Sequence, residues 1–111
     1  APMTRGILAT CYARPAAGTA PSTDGLLGTL ADAYAGEPFV VVSPRSPSTK
    51  ATWGSNCAHL TVRYDERTGW IVVLAALDNL VKGASGQALQ CANLLLGLDE
   101  TAGLPTVGVY P

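Results

Sequence analysis

The 111-residue sequence is poor in charged residues and in long apolar runs, and each shortage excludes a class of protein. Charged side chains make up 14% of the chain, whereas about 25% is usual in soluble domains. The net charge of −1 leaves no basic face of the kind that a sequence-independent nucleic-acid binder requires. The longest apolar run, residues 70–77, is far shorter than the ~20 residues of a membrane-spanning helix. We therefore expect no nucleic-acid partner and no membrane partner.

Histidine and cysteine are also scarce, which bears on metals and on the redox compartment. The cysteines, Cys11, Cys57 and Cys91, stand at unrelated spacings and form neither a disulfide framework nor a zinc motif. A single histidine excludes a site with several histidine ligands, and we predict no metal. Reduced thiols, together with the lack of a signal-peptide pattern, indicate a cytoplasmic protein. The sequence runs abruptly from Ala1 into its first predicted strand, which suggests a fragment of a longer polypeptide.

The chain does contain alternating strand and helix patterns within a length typical of one domain, residues 1–111. Short β-branched or apolar runs predict strands at residues 6–12, 39–42, 58–64 and 70–76, and a polar turn joins the last two as a hairpin. Apolar residues at helical spacing predict one helix from the capping residues 22–23 to Gly36 and another that ends at Gly97. Residues 104–110 are expected to form an extended tail. The order predicts an α+β fold, with helices on one face of a mixed, mostly antiparallel sheet.

His59 is the side chain whose ordinary pKa lies near neutrality, so any acid–base role at pH 7 falls first to it. It follows the flexible corner 54–56 and enters a predicted strand, and such corners commonly border clefts. The alternative is a solvated histidine on the polar face of that strand. Cys57 shares this face and could pair with His59, but nothing indicates an oxyanion hole. We therefore interpret the cysteines as structural.

Two further features could bind anions. Gly83 and Gly86 border a helix start, where free N–H groups attract anions, and Lys82 stands beside them. The spacing matches neither a dinucleotide-binding nor a Walker motif. The competing interpretation is a helix start that packs tightly against a neighbour, with Lys82 solvated. Arg5, just before the first strand, is either a candidate clamp for a carboxylate or a surface arginine.

Several segments together carry a family resemblance that runs from end to end. In chain order they are PMTRGIL (2–8), Tyr34 with EPFV (37–40), GSN (54–56) with His59, DNLVKGA (78–84), GQA (86–88) with Asn93, and GL (97–98). The sequence resembles the C-terminal domain of N-acetyl-gamma-glutamyl-phosphate reductase, which is similar to that of aspartate-semialdehyde and glyceraldehyde-3-phosphate dehydrogenases. Each segment alone is weak, whereas their combination in this order is specific.

The resemblance implies a substrate-binding and dimerisation domain of an oxidoreductase in arginine biosynthesis. That enzyme reduces an N-acetylglutamyl acyl phosphate to the semialdehyde with NADPH, through a cysteine thioester. A Rossmann domain, absent from this chain, would hold the NADPH, and the enzyme would be a homo-oligomer.

The resemblance also implies roles for individual residues. His59 would be the acid–base partner of the thiolate. The substrate cleft would be lined by Arg5, Ser55 and Asn56. The segment that approaches the cofactor would contribute Asn79, Lys82, Gly83 and Gly86.

Two departures from the family pattern limit what the chain is expected to do. The family nucleophile lies in a Pro-Gly-Cys segment that this sequence lacks, so we predict no hydride transfer by the chain alone. The loop 43–49 keeps only the second proline, Pro47, of the family's Gly-x-Trp-Pro pattern. Two alternatives therefore stay open. One is a free-standing relative that acts as a non-redox enzyme or as a binding and assembly module, and the other is an interaction protein without a site.

Overall fold

A computed structural model describes residues 2–109, and within them four strands form one sheet in the order β1-β4-β3-β2. The elements are β1 (Ile7–Ala13), α1 (Thr23–Ala33), β2 (Val40–Val42), β3 (Ala58–Asp65), β4 (Trp70–Leu77) and α2 (Gly86–Leu95). A short 3₁₀ helix covers Lys50–Thr52, and a π-helical turn, Val81–Ser85, leads directly into α2. β4 pairs antiparallel with β1 and β3, whereas β2 pairs parallel with β3. The predicted α+β fold with a mixed, mostly antiparallel sheet is confirmed.

The turns and caps that bound these elements follow from the local sequence. Ser22 Oγ accepts a hydrogen bond from Gly25 N at 3.1 Å and so caps α1. Gly69, at φ +70°, lets the β3–β4 turn close with a 2.7 Å hydrogen bond from its N–H to Asp65 O. Gly97, at φ +67°, follows the last turn of α2, where a left-handed glycine ends a helix. The hairpin and the helix ends therefore lie close to their predicted positions.

One face of the sheet packs against α1. Val62 points to this face from the middle of β3 and is buried. α1 lies over this side of β3 and β2, and Thr23 Oγ1 at its start accepts a hydrogen bond from Tyr64 N at 3.1 Å. The alternating apolar residues of β3 therefore form the side of the core that their period of two predicts.

The opposite face carries the alternate residues of β3, and it is covered rather than open to solvent. The connection of residues 43–53 lies across it, held by a hydrogen bond from Arg63 Nη2 to Pro44 O. Thr61 is consequently 1% exposed, although it belongs to the polar set of the strand. A cleft remains between this connection and the sheet.

The C-terminal tail runs along the connection and the corner that follows it. Asn56 N donates to Pro105 O at 2.7 Å, and Val109 N donates to Trp53 O at 2.8 Å. The predicted tail is therefore tied to the corner, while its last predicted residue, Tyr110, lies outside the described residues.

β1 is an exposed edge of the sheet. Within the described part of the chain it pairs with β4 alone, and all 7 of its residues are exposed. Leu8 and Tyr12, on one face, are 48% and 65% exposed. An apolar edge strand without charged residues invites pairing with another segment or chain. β1 is thus the first candidate for a contact surface.

Candidate functional site

Asp78, a residue without a predicted role, stands at the centre of the candidate site. It directly follows β4, and its side chain is fully buried. Oδ1 accepts hydrogen bonds from Leu80 N at 2.8 Å and Val81 N at 3.0 Å, and Oδ2 accepts one from Gly54 N at 2.6 Å. One carboxylate thus joins the end of the sheet, the start of the π-helical turn and the corner 54–56. The signal that could have found it is an acidic residue just before a helix start.

Arg5 completes the shell around Asp78. Its Nη2 lies 2.8 Å from Asp78 Oδ2, and its Nε donates to Oδ1 at 3.2 Å. This is the two-point geometry by which a guanidinium binds a carboxylate. The carboxylate that Arg5 clamps therefore belongs to the chain itself. Only the 35% of the Arg5 side chain that stays exposed can face another ligand.

The charge of Asp78 is fixed by its donors. Burial raises the pKa of Asp78, but the N–H groups of Gly54, Val81 and Leu80, followed by the Arg5 guanidinium, outweigh burial and lower the pKa from 3.8 to about 2. Each of these donors stabilises the charged form. Asp78 therefore stays ionised near neutral pH, where it orients its neighbours and transfers no proton.

Asn79 binds the N-terminal segment next to the Arg5–Asp78 pair. Its Oδ1 accepts a hydrogen bond from Gly6 N at 2.6 Å, and Trp53 Nε1 donates to Arg5 O at 3.4 Å. Gly6 has φ +102°, and a Cβ there would come within 2.7 Å of Thr49 Cβ. Asn79, predicted to face the cofactor, thus uses its side-chain oxygen to hold the backbone beside Arg5.

Ser55 and Asn56 lie inside the corner, at 1% and 0% exposure. Ser55 Oγ donates to Thr52 O at 2.9 Å and accepts from Cys57 N at 3.3 Å. Asn56 Nδ2 donates to Gln90 Oε1 at 2.9 Å, which ties the corner to α2. Both side chains form hydrogen bonds to other groups of this chain, and these bonds hold the backbone of the corner 54–56 in place.

Gly86 marks the closest approach of α2 to this corner. A Cβ there would lie 2.7 Å from Val81 Cγ1, and it would also collide with Asn56 Oδ1, a buried atom that has no hydrogen-bond partner among residues 2–109. Tight packing is therefore what the structure shows at Gly86. Gly83, in contrast, is exposed on the π-helical turn.

Lys82 is engaged within the chain rather than solvated. Its Nζ donates to Gln90 Oε1 at 2.7 Å and lies 5.5 Å from the centre of the Phe39 ring, where the ring face attracts a cation. Gln90 Nε2 in turn donates to Glu100 Oε1 at 2.6 Å. Lys82 therefore links the π-helical turn to α2 and, through Gln90, to Glu100 in the segment that follows α2.

His59 lies in a separate cleft on the covered face of the sheet. The cleft measures about 330 Å³, and no other predicted site residue lines it. Burial lowers the pKa of the His59 imidazole, because a desolvated imidazolium is disfavoured. The structure therefore separates His59 from the centre that brings together Arg5, Ser55, Asn56, Asn79, Lys82, Gly83 and Gly86.

The thiols differ in accessibility. Cys57 is buried, and its Sγ donates to Thr106 O at 3.2 Å. Burial raises the pKa of Cys57, against the opposing effects of the Ser55 hydroxyl and the Lys82 charge, so this thiol stays protonated. Cys11 and Cys91 are exposed. Within the described residues, no three histidine, cysteine or acidic side chains come together as a metal would require. No helix there is both long enough and apolar enough to cross a membrane.

Comparisons with known proteins agree with this architecture. Residues 1–79 match the family model of the semialdehyde dehydrogenase dimerisation domain. N-acetyl-gamma-glutamyl-phosphate reductases from Frankia casuarinae and Desulforudis audaxviator are each 55% identical to the chain, over 100% and 99% of its length. The reductase from Thermus thermophilus is 53% identical over 99% of the chain. The chain covers 32%, 32% and 31% of these proteins, about a third of their length, and it matches their C-terminal region. The chain therefore belongs to the semialdehyde dehydrogenase dimerisation-domain family, as its segments predict.

Proposed function

We propose that the chain is the dimerisation and substrate-cleft part of an NADPH-dependent reductase of arginine biosynthesis, which converts N-acetyl-gamma-glutamyl phosphate to the semialdehyde in the cytoplasm. The observation that carries this proposal is the 55% identity, over the whole chain, to proteins that bear that reductase's name. The buried shell around Asp78 supports it, because a rigid frame is what positions a binding site.

His59 is the acid–base group in this proposal. An imidazole that is neutral at pH 7 can take a proton from a thiol that another part of the enzyme supplies. Arg5 offers its exposed guanidinium edge to the substrate. Ser55 and Asn56 hold the backbone of the corner 54–56, which leads into β3, the strand that carries His59.

The segment 79–86 fits a surface that NADPH approaches while another domain binds it. The segment does not itself form a nucleotide-binding site. Three of its assigned residues are engaged inside the chain, since Asn79 holds Gly6, Lys82 holds Gln90 and Gly86 is buried. Gly83 alone among them is exposed, and without a side chain it lets a flat ring come close. When bound by another domain, NADPH would supply the hydride. This chain would contribute the surface at Gly83.

The exposed apolar surfaces favour a partner Rossmann domain and a second subunit. β1 presents Leu8 and Tyr12, and the end of α2 presents Leu95 and Leu96, which are 87% and 73% exposed. Exposed apolar patches of this kind mark contact sites. We propose that the Rossmann domain and a second copy of the enzyme cover them in a homo-oligomer.

A chimaera tests the proposal. The chain would replace the corresponding C-terminal third of the Frankia casuarinae relative, and NADPH oxidation would be followed with the acyl phosphate. We expect activity in the chimaera and none in the chain alone, because the chain lacks the Pro-Gly-Cys segment of the family nucleophile and Cys57 is buried. His59→Asn should lower the chimaera's activity by about 100-fold or more, with the fold retained. Arg67→Gln, on the exposed β3–β4 turn, serves as the control.

Three results would contradict the proposal: a folded chimaera without activity, hydride transfer by the isolated chain, or a His59→Asn chimaera as active as the parent.

A second candidate function is that of a non-redox binding module. The observation that favours it is that the His59 cleft is formed by residues of this chain alone, between residues 41 and 60. Ligand binding by the isolated chain, together with an inactive chimaera, would support this candidate over the first.

A further inference from the structure

Helix α2 buries polar residues and exposes apolar ones, which is the reverse of an ordinary surface helix. Its buried residues are Gly86, Gln90 and Asn93, and their spacing places them on one side of the helix. Leu94 and Leu95, in contrast, are exposed. Buried amide groups cost free energy unless they find hydrogen-bond partners. The inward side of α2 therefore contributes specific hydrogen bonds rather than apolar packing.

The side-chain amide of Gln90 can adopt only one orientation. Its Oε1 accepts hydrogen bonds from Lys82 Nζ at 2.7 Å and from Asn56 Nδ2 at 2.9 Å, and its Nε2 donates to Glu100 Oε1 at 2.6 Å. An ammonium group only donates and a carboxylate only accepts, so a flipped amide would oppose donor to donor and acceptor to acceptor. Lys82 and Glu100 therefore fix the oxygen of Gln90 towards Asn56.

The two donors to the Gln90 oxygen belong to different sides of the site proposed above. Asn56 is the last residue of the corner that leads into β3 and His59. Lys82 belongs to the π-helical turn and precedes Gly83, the residue exposed on the cofactor side. A single buried oxygen atom thus joins the substrate side of the site to its cofactor side.

Asp78 bridges the same two segments at their other end. It accepts hydrogen bonds from Gly54 N, at the start of the corner, and from Val81 N, at the start of the turn. One bridge fixes the distance between two segments, whereas two bridges fix their angle as well. Gln90 supplies the second bridge.

We infer that Gln90 is a positioning residue, whose side-chain oxygen sets the corner 54–56 and the turn at Lys82 and Gly83 relative to each other. Its effect on catalysis rests on the function proposed above, whereas the coupling of the two segments is a property of this chain alone. A misplacement of about 1 Å can cost about 100-fold in rate. Loss of the oxygen should therefore slow the reaction, although Gln90 is buried.

Hydrogen exchange of the full chain measures the coupling without any ligand. The N–H of Asn56 donates to Pro105 O at 2.7 Å and reports on the corner, while the amides of β4 report on global unfolding. Lys82→Met removes a donor on the turn and should speed exchange at Asn56 by about fivefold or more relative to β4. In a Gln90→Met background the same substitution should have no effect at Asn56, because the path through the oxygen is already lost.

Gln87→Met, on the exposed side of α2, is the matched control and should leave exchange at Asn56 within about twofold of the parent. Unchanged exchange at Asn56 in Lys82→Met would overturn the inference, and this comparison decides alone if Gln90→Met does not fold. Equal acceleration by Lys82→Met with and without Gln90 would also overturn it, since the effect would then bypass the oxygen.

The chimaera measures what the coupling does for the reaction. Gln90→Met should lower kcat by about 10-fold or more and change the KM for the acyl phosphate by less than about threefold, because alignment is lost while binding contacts remain. Gln87→Met should match the parent in both values. The double variant Gln90→Glu with Glu100→Gln keeps an acceptor for Lys82 and Asn56 and a donor opposite it, and should retain at least about a third of the parent's kcat.

Three kinetic results would overturn the inference: a folded Gln90→Met chimaera as fast as the parent, a raised KM at unchanged kcat, or a double variant as slow as Gln90→Met. An inactive parent chimaera would refute the proposed function, and the exchange experiment would then decide the inference by itself. An active chimaera without coupling in the exchange experiment would refute the inference and leave the proposed function standing.

Discussion

Replacement of Asp78 by asparagine should lower the free energy of unfolding by about 2–3 kcal/mol at pH 7. The side chain keeps its size, so the change removes the charge at the centre of the buried shell and leaves the packing intact. Asparagine retains one oxygen for Leu80 N and Val81 N. Its amide NH₂ would face Gly54 N and the Arg5 guanidinium, which are both donors.

The magnitude follows from the pKa of Asp78 in the folded chain. The pKa of Asp78 falls from 3.8 to about 2 in the folded chain, which corresponds to about 2.4 kcal/mol of stabilisation by the charged form. This figure already contains the hydrogen bond from Gly54 N, which is the first of the groups that lower the pKa of Asp78. The contribution of Arg5 is moderated by solvent, because 35% of its side chain is exposed.

The pH dependence has a defined sign. A carboxyl group with a lowered pKa stabilises the fold above its ordinary pKa of 3.8, and this stabilisation is lost as the pH falls towards 2. The difference between the parent and Asp78→Asn should therefore shrink by about 2 kcal/mol between pH 5 and pH 2.

Urea unfolding of both proteins across this range measures the effect. Asp32→Asn, at an exposed position of α1, is the control and should change stability by less than about 0.5 kcal/mol. A loss below about 1 kcal/mol at pH 7, or a difference that does not change with pH, would refute the central role of the Asp78 carboxylate.

Further measurements address individual features. Gly86→Ala should lower the free energy of unfolding by about 2 kcal/mol, because its Cβ would collide with Val81. Gly28→Ala, inside α1 with nothing within 4 Å of its Cβ, should raise it by about 0.5–1 kcal/mol; equal effects in urea unfolding would contradict the close approach. The NMR titration of His59 should have its midpoint below 6.5, and the fold should lose stability as the pH falls below 6.5, a loss absent from His59→Gln. A thiol reagent should modify the exposed cysteines of the native chain quickly and Cys57 only on unfolding; rapid modification of Cys57 would contradict its burial.

The regular elements could be predicted from sequence because their signals are local. The β3–β4 hairpin follows from residues that alternate with a period of two around a polar turn closed by Gly69. α1 begins at Ser22 because that side chain satisfies a free N–H group of the first turn, and α2 ends where Gly97 can adopt a positive φ.

The candidate site could be predicted only in part, because its contacts join distant segments. Arg5 and Asp78 are 73 residues apart, and no periodicity relates them. The burial of the polar face of β3 could not be predicted either. The alternating pattern of β3 is that of a solvated surface, but the connection 43–53 covers this face and forms a cleft around His59. The resemblance singled out residues around Asp78 but not Asp78 itself, and their hydrogen bonds within the chain follow only from the folded structure.

The low charge of the chain and the placement of its exposed apolar residues have one physical explanation. Edge strands of free-standing domains are commonly protected by charged residues or proline, yet β1 carries neither. The end of α2 likewise lacks charged residues and proline, and Leu95 and Leu96 are exposed there next to Gly97. The charges of Arg5 and Asp78 pair with each other at the end of the sheet. Exposed apolar surface of this kind marks a contact site, and relatives about three times as long as the chain contain additional polypeptide that could cover it.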